Sequence, residues 1–292
     1  MEEIISKAAT LLEALPYMQR FRGEIFVVKY GGSFMDSSDP QVRHRVARDI
    51  VFLEAVGINP VVVHGGGKAI SRALESAGSK AQFVQGHRVT DAATAEVVDR
   101  VLSSEINPEI VKAIQNFGGR ARGFAGSDIF RCRKFSPQDE AGRSVDVGFV
   151  GEVYDVNIDP LRECIRRSVT PVISPTARGF GGKIYNCNAD IAAAKTAIAL
   201  KARRLVFMSD VPGLLREPND PSTLVTHLSV TDVPALKKTG VVSEGMIPKV
   251  DSAVAAIQAG VEKVQFVDGR LPHSVLLEIF TDAGVGTEVT LR

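Results

Sequence analysis

The chain repeats one construction twice within its first eighty residues: a short apolar run, a glycine cluster, then a helix-forming stretch. The first run is Ile25, Phe26, Val27 and Val28, and it passes into Lys29-Tyr30-Gly31-Gly32-Ser33. The second is Val61-Val62-Val63, and it passes into His64-Gly65-Gly66-Gly67-Lys68. Apolar runs of this length, rich in valine, read as buried strands. Behind the first, Val42, Val46, Ile50, Leu53 and Val56 recur at helical spacing; behind the second, a helix is expected over about 69–77. Strand–helix–strand succession predicts parallel strands with ligands at their carboxyl ends, where both glycine clusters fall. Glycine lets the backbone turn its N–H groups onto an anion, and Lys29 adds a full charge beside them. Two readings fit the first cluster: a phosphate cradle, or an ordinary strand-to-helix turn with a solvated lysine.

Bulk properties narrow the field. At 292 residues, 45% of them apolar, the chain is long enough for one large α/β domain or two lobes sharing a sheet. Thirty-five basic against 34 acidic residues leave a formal charge of +1, which gives no footing for a nucleic-acid or acidic-membrane partner. Cys132, Cys164 and Cys187 are scattered and odd in number, so a reducing, cytoplasmic setting is expected. The start, Met1-Glu2-Glu3, predicts no secretory signal, and no stretch approaches the ~20 apolar residues of a membrane span.

Ahead of the first strand, Ile4, Ile5, Ala8, Leu11, Leu12 and Leu15 line one side of a helix, which Pro16 is expected to stop. This helix either packs on its own domain or makes an oligomer contact, since it stands outside the alternation that follows. Further on, Thr90 or Asp91 reads as the cap of a helix over about 92–103, and a separate helix is expected over about 108–117. Val145 to Val153 reads as a hairpin, and Ser174 to Asn186 as the seam between any two lobes.

Four polar positions stand out. Arg88 lies beside the triple glycine, where a guanidinium can grip a carboxylate through two parallel hydrogen bonds; without that neighbour it would read as a surface arginine. Asn188 is best read as the cap of the alanine-rich helix that Asp190 opens, whereas Asn186 has no evident structural task. Lys249 falls in the first turn of a helix that Pro248 opens. A cation there opposes the dipole, so this lysine is expected to act elsewhere.

Lysines and glycine nests suit phosphoryl transfer, where positioning and charge neutralisation matter more than covalent help. There is no Gly-x-x-x-x-Gly-Lys-Ser/Thr loop and no dinucleotide fingerprint. Five histidines without ligand spacing predict no protein-held transition metal. A carboxylate acceptor is already ionised and needs no general base, only relief from anion–anion repulsion.

These segments, taken in order, resemble the N-acetyl-L-glutamate kinases of the amino acid kinase superfamily. The motifs are Lys29-Tyr30-Gly31-Gly32, His64-Gly65-Gly66-Gly67, Gly86-His87-Arg88-Val89-Thr90, Asn186-Cys187-Asn188-Ala189-Asp190, Ser209-Asp210-Val211-Pro212-Gly213 and Gly245-Met246-Ile247-Pro248-Lys249. Each is weak alone; their order and spacing over about 23–292 are specific. The resemblance implies a three-layer α/β/α sandwich around a mainly parallel sheet. It implies one domain over 1–292, with an oligomerisation helix in 1–20, an acetylglutamate-binding half in 21–178 and an ATP-binding half in 179–292. It further implies phosphorylation of the γ-carboxylate of N-acetylglutamate by ATP with Mg²⁺, the metal held mainly by the nucleotide, as the second step of arginine biosynthesis.

By the same resemblance Lys29 and Lys249 would stabilise the phosphoryl group in transfer and Asp190 would hold them. Gly66, Gly67, Arg88 and Asn186 would bind the acceptor, and Gly31, Gly32, Ser209, Asp210, Leu215, Val241 and Ser243 the nucleotide. Arginine-inhibited members carry an extra N-terminal helix that joins dimers into a hexamer, and residues 3–16 resemble it. Arginine would then bind near Glu278 and Gly284, although Gln265 stands where a histidine is expected. A PII-type regulator is a further partner of some relatives. The competing readings are a sibling kinase acting on glutamate, aspartate or carbamate, and a catalytically silent arginine sensor.

Overall fold

A computed structural model of the chain describes residues 2–31, 35, 39–84, 86–138, 141–218, 220–242 and 245–292, without the side chains of 2–8 and 40–43. The side chains of Ile4, Ile5, Ala8 and Val42 therefore lie outside the described set.

Helix α1 (Glu2–Phe21) precedes β1 (Ile25–Tyr30), α2 (Pro40–Ala55), β2 (Asn59–His64) and α3 (Gly67–Ser76). A two-stranded ribbon, β3 (Phe83–Val84) with β4 (His87–Arg88), leads to α4 (Ala92–Asp99), a π-helical segment (Arg100–Ile106) and α5 (Asn107–Asn116). Then come β5 (Ala121–Phe124), α6 (Gly126–Ile129), β6 (Phe130–Lys134), β7 (Val150–Val156), α7 (Asp159–Arg166), β8 (Thr170–Ile173), β9 (Thr176–Arg178) and β10 (Ile184–Cys187). The chain closes with α8 (Ala189–Leu200), β11 (Arg204–Ser209), β12 (His227–Ser229), α9 (Val233–Lys238), α10 (Ile247–Gln258), β13 (Lys263–Asp268), α11 (Ser274–Phe280) and β14 (Thr287–Thr290).

Eight strands form one sheet in the order β12-β14-β13-β11-β1-β2-β8-β5. Among the described residues its one antiparallel pair is β13 with β14. β1 pairs on one side with β2 (Lys29↔Val63) and on the other with β11 (Lys29↔Phe207). Alternation along β1 sends Val27 into a core that includes Ala192, Ala193 and Ala253 of α8 and α10. It sends Phe26, Val28 and Tyr30 into a second core with Ile50, Leu53 and Ile279 of α2 and α11. Apolar surface is thus buried on both faces of the sheet, as the expected three-layer α/β/α sandwich requires.

Three sequence expectations are corrected. Pro16 does not stop α1, which runs on to Phe21. The lost backbone bond is offset because the last turn buries Phe21 completely and half-buries Tyr17 and Met18. Leu11, Leu12 and Leu15, by contrast, are exposed. The two helices expected over 92–103 and 108–117 are one continuous rod. Pro108 cannot donate within it, and the wide π turn, with Asn107 N–H reaching Leu102 O, carries the chain past. Finally, 145–153 is not a hairpin. Thr90 N–H donates to Val147 O and Phe149 N–H to Thr90 O, so 145–149 is tied to the start of α4. The strand proper, β7, joins β6, β9 and β10 in a small closed barrel.

Candidate active site

The strand alternation that buries Val27 against α8 puts Lys29 on the same face, 8% exposed. α8 begins at that place. Its cap is Asn188, whose Oδ1 accepts from Asp190 N–H at 2.8 Å and Ile191 N–H at 3.3 Å. Asp190 follows in the first turn with its carboxylate turned to the sheet. Lys29 Nζ lies 3.1 Å from Asp190 Oδ1. On the far side Lys249 Nζ, from the first turn of α10, donates to Asp190 Oδ2 at 2.6 Å. The ammonium that local propensity disfavours at a helix start is thus drawn to a carboxylate on the neighbouring helix.

Burial alone would raise the Asp190 pKa. The charges of Lys29 and Lys249 and their hydrogen bonds outweigh it and hold the group at about 2. Two ammonium groups are therefore fixed around one ionised carboxylate, and the cluster carries a net charge of +1 (two cations less one anion). Gly31 makes room for it. A Cβ there would lie 2.3 Å from Lys29 Nζ and 2.7 Å from its Cε. The two glycine clusters also touch, since Gly65 N–H donates to Tyr30 O at 2.7 Å.

A cavity of about 260 Å³ opens beside Lys29 and Gly31, and Gly66, Gly67, Arg88 and Asn186 all line it. Arg88 is buried at the end of β4. Its Nη2 donates to Gly67 O at 2.8 Å and to Ser71 Oγ at 3.0 Å, and its guanidinium carbon stands 4.7 Å from the centroid of the Phe83 ring. Its Nη1 is buried and has no partner among the described residues. An orphaned guanidinium donor of this kind is a ready grip for a carboxylate oxygen. Thr90, fully buried, links two of the lining residues: its Oγ1 donates to Arg88 O at 2.8 Å and lies 3.5 Å from Asn186 Nδ2. The cap itself is Asp91, which accepts from Thr94 N–H.

The segments expected to hold the nucleotide are less gathered. Ser209 ends β11, and Asp210 leaves the sheet at the same edge as Gly31, because β11 and β1 are parallel neighbours. Leu215 pairs with Leu224 in an isolated bridge, and neither it nor Val241 lines the Lys29 cavity. Gly32 and Ser243 lie outside the described residues. Among the described residues no cluster of three or more His, Cys, Asp or Glu side chains is placed to hold a metal. No described helix is long and apolar enough to cross a membrane.

Glu278 and Gly284 are neighbours on the other side of the sheet. Glu278 Oε2 accepts from the N–H groups of Val285 (2.7 Å) and Gly286 (3.0 Å), and Gln265 Nε2 donates to its Oε1 at 2.9 Å. Gly284 has φ +61°, and a Cβ on it would stand 2.9 Å from Glu278 Oε2.

A sheet with two glycine loops and a Lys–Asp–Lys cluster at its carboxyl ends defines a class, and the chain belongs to the amino acid kinase family, whose model matches residues 24–268. Several relatives within that family are acetylglutamate kinases. That of Heliobacterium modesticaldum is 48% identical over 295 residues, covering 99% of each chain. That of Akkermansia muciniphila is 46% identical over 287 residues, covering 98% of this chain and 96% of its own. Among solved structures, the N-acetylglutamate synthase of Neisseria gonorrhoeae, complexed with coenzyme A and N-acetyl-glutamate, superposes with a TM-score of 0.84 at 25% identity. The match covers 97% of this chain but only 63% of that longer one. The carbamate kinase of Giardia shares the fold, with a TM-score of 0.66 at 15% identity and coverage of 92% and 99%.

Proposed function

We propose that this chain transfers the γ-phosphoryl group of ATP to the γ-carboxylate of N-acetyl-L-glutamate, the second step of arginine biosynthesis. One observation carries the residue assignments: Lys29, fixed with Lys249 around Asp190, shares a cavity with Gly66, Gly67 and Arg88, and the Nη1 of Arg88 is buried without a partner. Arg88 and the glycine N–H groups hold the acceptor's carboxylate, with Asn186 alongside. The acceptor is ionised at neutral pH and attacks without a base.

Lys29 and Lys249 face the charge that gathers on the transferring group. Asp190 fixes both ammonium groups before the reaction, so no reorganisation is needed at the barrier. Gly31, Ser209 and Asp210 flank the nucleotide, with Leu215 and Val241 farther along its path. Mg²⁺, when bound, supplies further neutralisation of the phosphates. The donor set here is ammonium and backbone N–H, which suits phosphate oxygens, so the metal would be held mainly by the nucleotide and water.

Arginine inhibition through the Glu278–Gly284 corner and self-association through the exposed leucines of α1 belong to the same proposal. The test is a hydroxylamine trap for the acyl phosphate, run with MgATP and acetylglutamate, glutamate, aspartate or carbamate, each with and without arginine, with the same samples sedimented in parallel. Acetylglutamate is expected to be the acceptor used. Preference for free glutamate would overturn the substrate, and no trapped product with any acceptor would overturn the kinase. An arginine-insensitive rate, or a monomer at all concentrations, would remove the regulatory part alone.

A further inference from the structure

The triple glycine is aimed by a buried relay behind it. His64 ends β2 with no exposed surface, and its Nδ1 lies 2.8 Å from the carbonyl oxygen of the next residue, Gly65. Its Nε2 lies 3.2 Å from Asn107 Nδ2. Asn107 is 3% exposed, at the junction of the π-helical segment with α5. The same Nδ2 lies 2.9 Å from Val172 O on β8 and 3.5 Å from Phe124 O on β5. Carbonyls only accept, so the atom facing them is the amino group; of its two hydrogens one goes to Val172 O and the other to His64 Nε2, with Phe124 O at the outer limit of reach. The imidazole proton must then sit on Nδ1, where it donates to Gly65 O. Burial drives the His64 pKa down to about 4, so the ring is neutral near pH 7 and the tautomer is single.

A trans peptide is planar, with its C=O and the next N–H pointing opposite ways. Fixing Gly65 O toward His64 turns the Gly66 N–H away from it. The N–H of Gly65 is already taken by Tyr30 O, so the next free donor of the loop is that of Gly66, which lines the cavity. The π-helical segment confines the loop from the same side: a Cβ on Gly66 would stand 2.5 Å from Ile106 Cδ1 and 2.6 Å from Leu102 Cδ2. Gly123 leaves the slot that Asn107 fills, since a Cβ there would lie 2.1 Å from Asn107 Oδ1.

We infer that His64 and Asn107 are positioning residues: the Asn107 amide fixes the His64 tautomer, and His64 fixes the Gly65–Gly66 peptide so that the Gly66 N–H faces the acceptor carboxylate. This rests on reading the cavity as the acceptor site. It predicts that His64→Ala raises KM for acetylglutamate about ten- to hundredfold, the loss of one buried donor to a charged group, while KM for ATP stays essentially unchanged. In His64→Asn the side-chain amide stands near the place of Nδ1, keeps a donor for Gly65 O and recovers most of the loss. Asn107→Ala acts in the same direction as His64→Ala, by a smaller factor.

A parallel rise in both KM values, or His64→Asn no better than His64→Ala, overturns the proposal. A long-range ¹H–¹⁵N spectrum of the native chain labelled at its five histidines judges it independently of any variant's folding. One neutral ring protonated at Nδ1 is expected at neutral pH; a His64 protonated at Nε2, or charged, overturns the relay. If the native chain does not use acetylglutamate, the functional reading falls while the spectrum still decides the relay.

Discussion

Among the described residues two aspartates are buried, in opposite electrostatic circumstances. Asp190 at the start of α8 has two ammonium groups against its oxygens, and its pKa is held down at about 2. Asp49, in the middle of α2 and 1% exposed, has one partner, His273 Nδ1 at 2.6 Å. There burial wins over the imidazole, and the pKa is pushed up to about 6. Both are closed away from water, so burial does not tell them apart; the number of fixed cations does. The pair with surplus positive charge stands at the carboxyl ends of parallel strands beside a cavity. The other ties the α2 layer to the head of α11 and has no lysine on it.

Replacing each carboxylate by its amide should separate the two most sharply. Asp190→Asn leaves two buried ammonium groups facing each other. Turnover is expected to fall about 10²–10³-fold and stability by about 3 kcal/mol. A coupled ADP assay and a denaturant melt measure both, and a kcat within a few-fold of native would dissolve the contrast.

Gly31→Ala tests the same cluster without touching a charge. The added methyl would meet the far end of the Lys29 side chain, which can move aside at little cost in stability. Turnover should fall about ten- to hundredfold from misplacement of the ammonium, with an almost unchanged melting temperature. A large loss of Tm with normal kcat would mean the glycine serves the fold only.

Asp49→Asn carries the smallest effect, and it depends on pH. With a folded pKa of about 6 against an ordinary 3.8, Asp49 holds its proton more tightly folded than unfolded. Its contribution to stability is full below 3.8 and is lost as pH rises through about 6. The amide has no such loss. The variant should gain on the native chain by about 2 kcal/mol, a few degrees in Tm, between about pH 4 and pH 7, with kcat untouched. Asp190 has the opposite sign: its contribution is present above 3.8 and disappears only as pH falls through about 2, below any working pH. A pH-independent difference for Asp49→Asn would show that His273, not burial, governs that site.

What could be read in advance follows from how local each cause is. The strands β1, β2, β11 and β13 announce themselves as apolar runs, and the glycine clusters mark the carboxyl ends of the first two. Lys249 was conspicuous because a cation in a first turn violates a local preference. The partner that explains it, Asp190, lies 59 residues away, and only the family resemblance joined the two. Pro16 misled because its local effect is real, while the burial of Phe21 that overrides it is tertiary. The π turn was hidden for a related reason: Pro108 reads as a helix start, and nothing nearby shows that the rod continues. Asp49 did leave a trace, since it falls on the same helical stripe as Val46, Ile50 and Leu53. The His64–Asn107 contact left none, because a histidine at a strand end and an asparagine before a proline each have ordinary local explanations.

The place of β1 in the sheet bears on how the molecule is made. Phe26 pairs with Pro60 on one side and with Arg204 on the other. On a ribosome the first partner emerges soon after β1, and the second only when most of the polypeptide is complete. Until then one flank of an almost wholly apolar strand is an open edge, the kind of surface on which nascent chains adhere to one another. The strand that carries Lys29 is therefore among the first segments synthesised and among the last to be sealed.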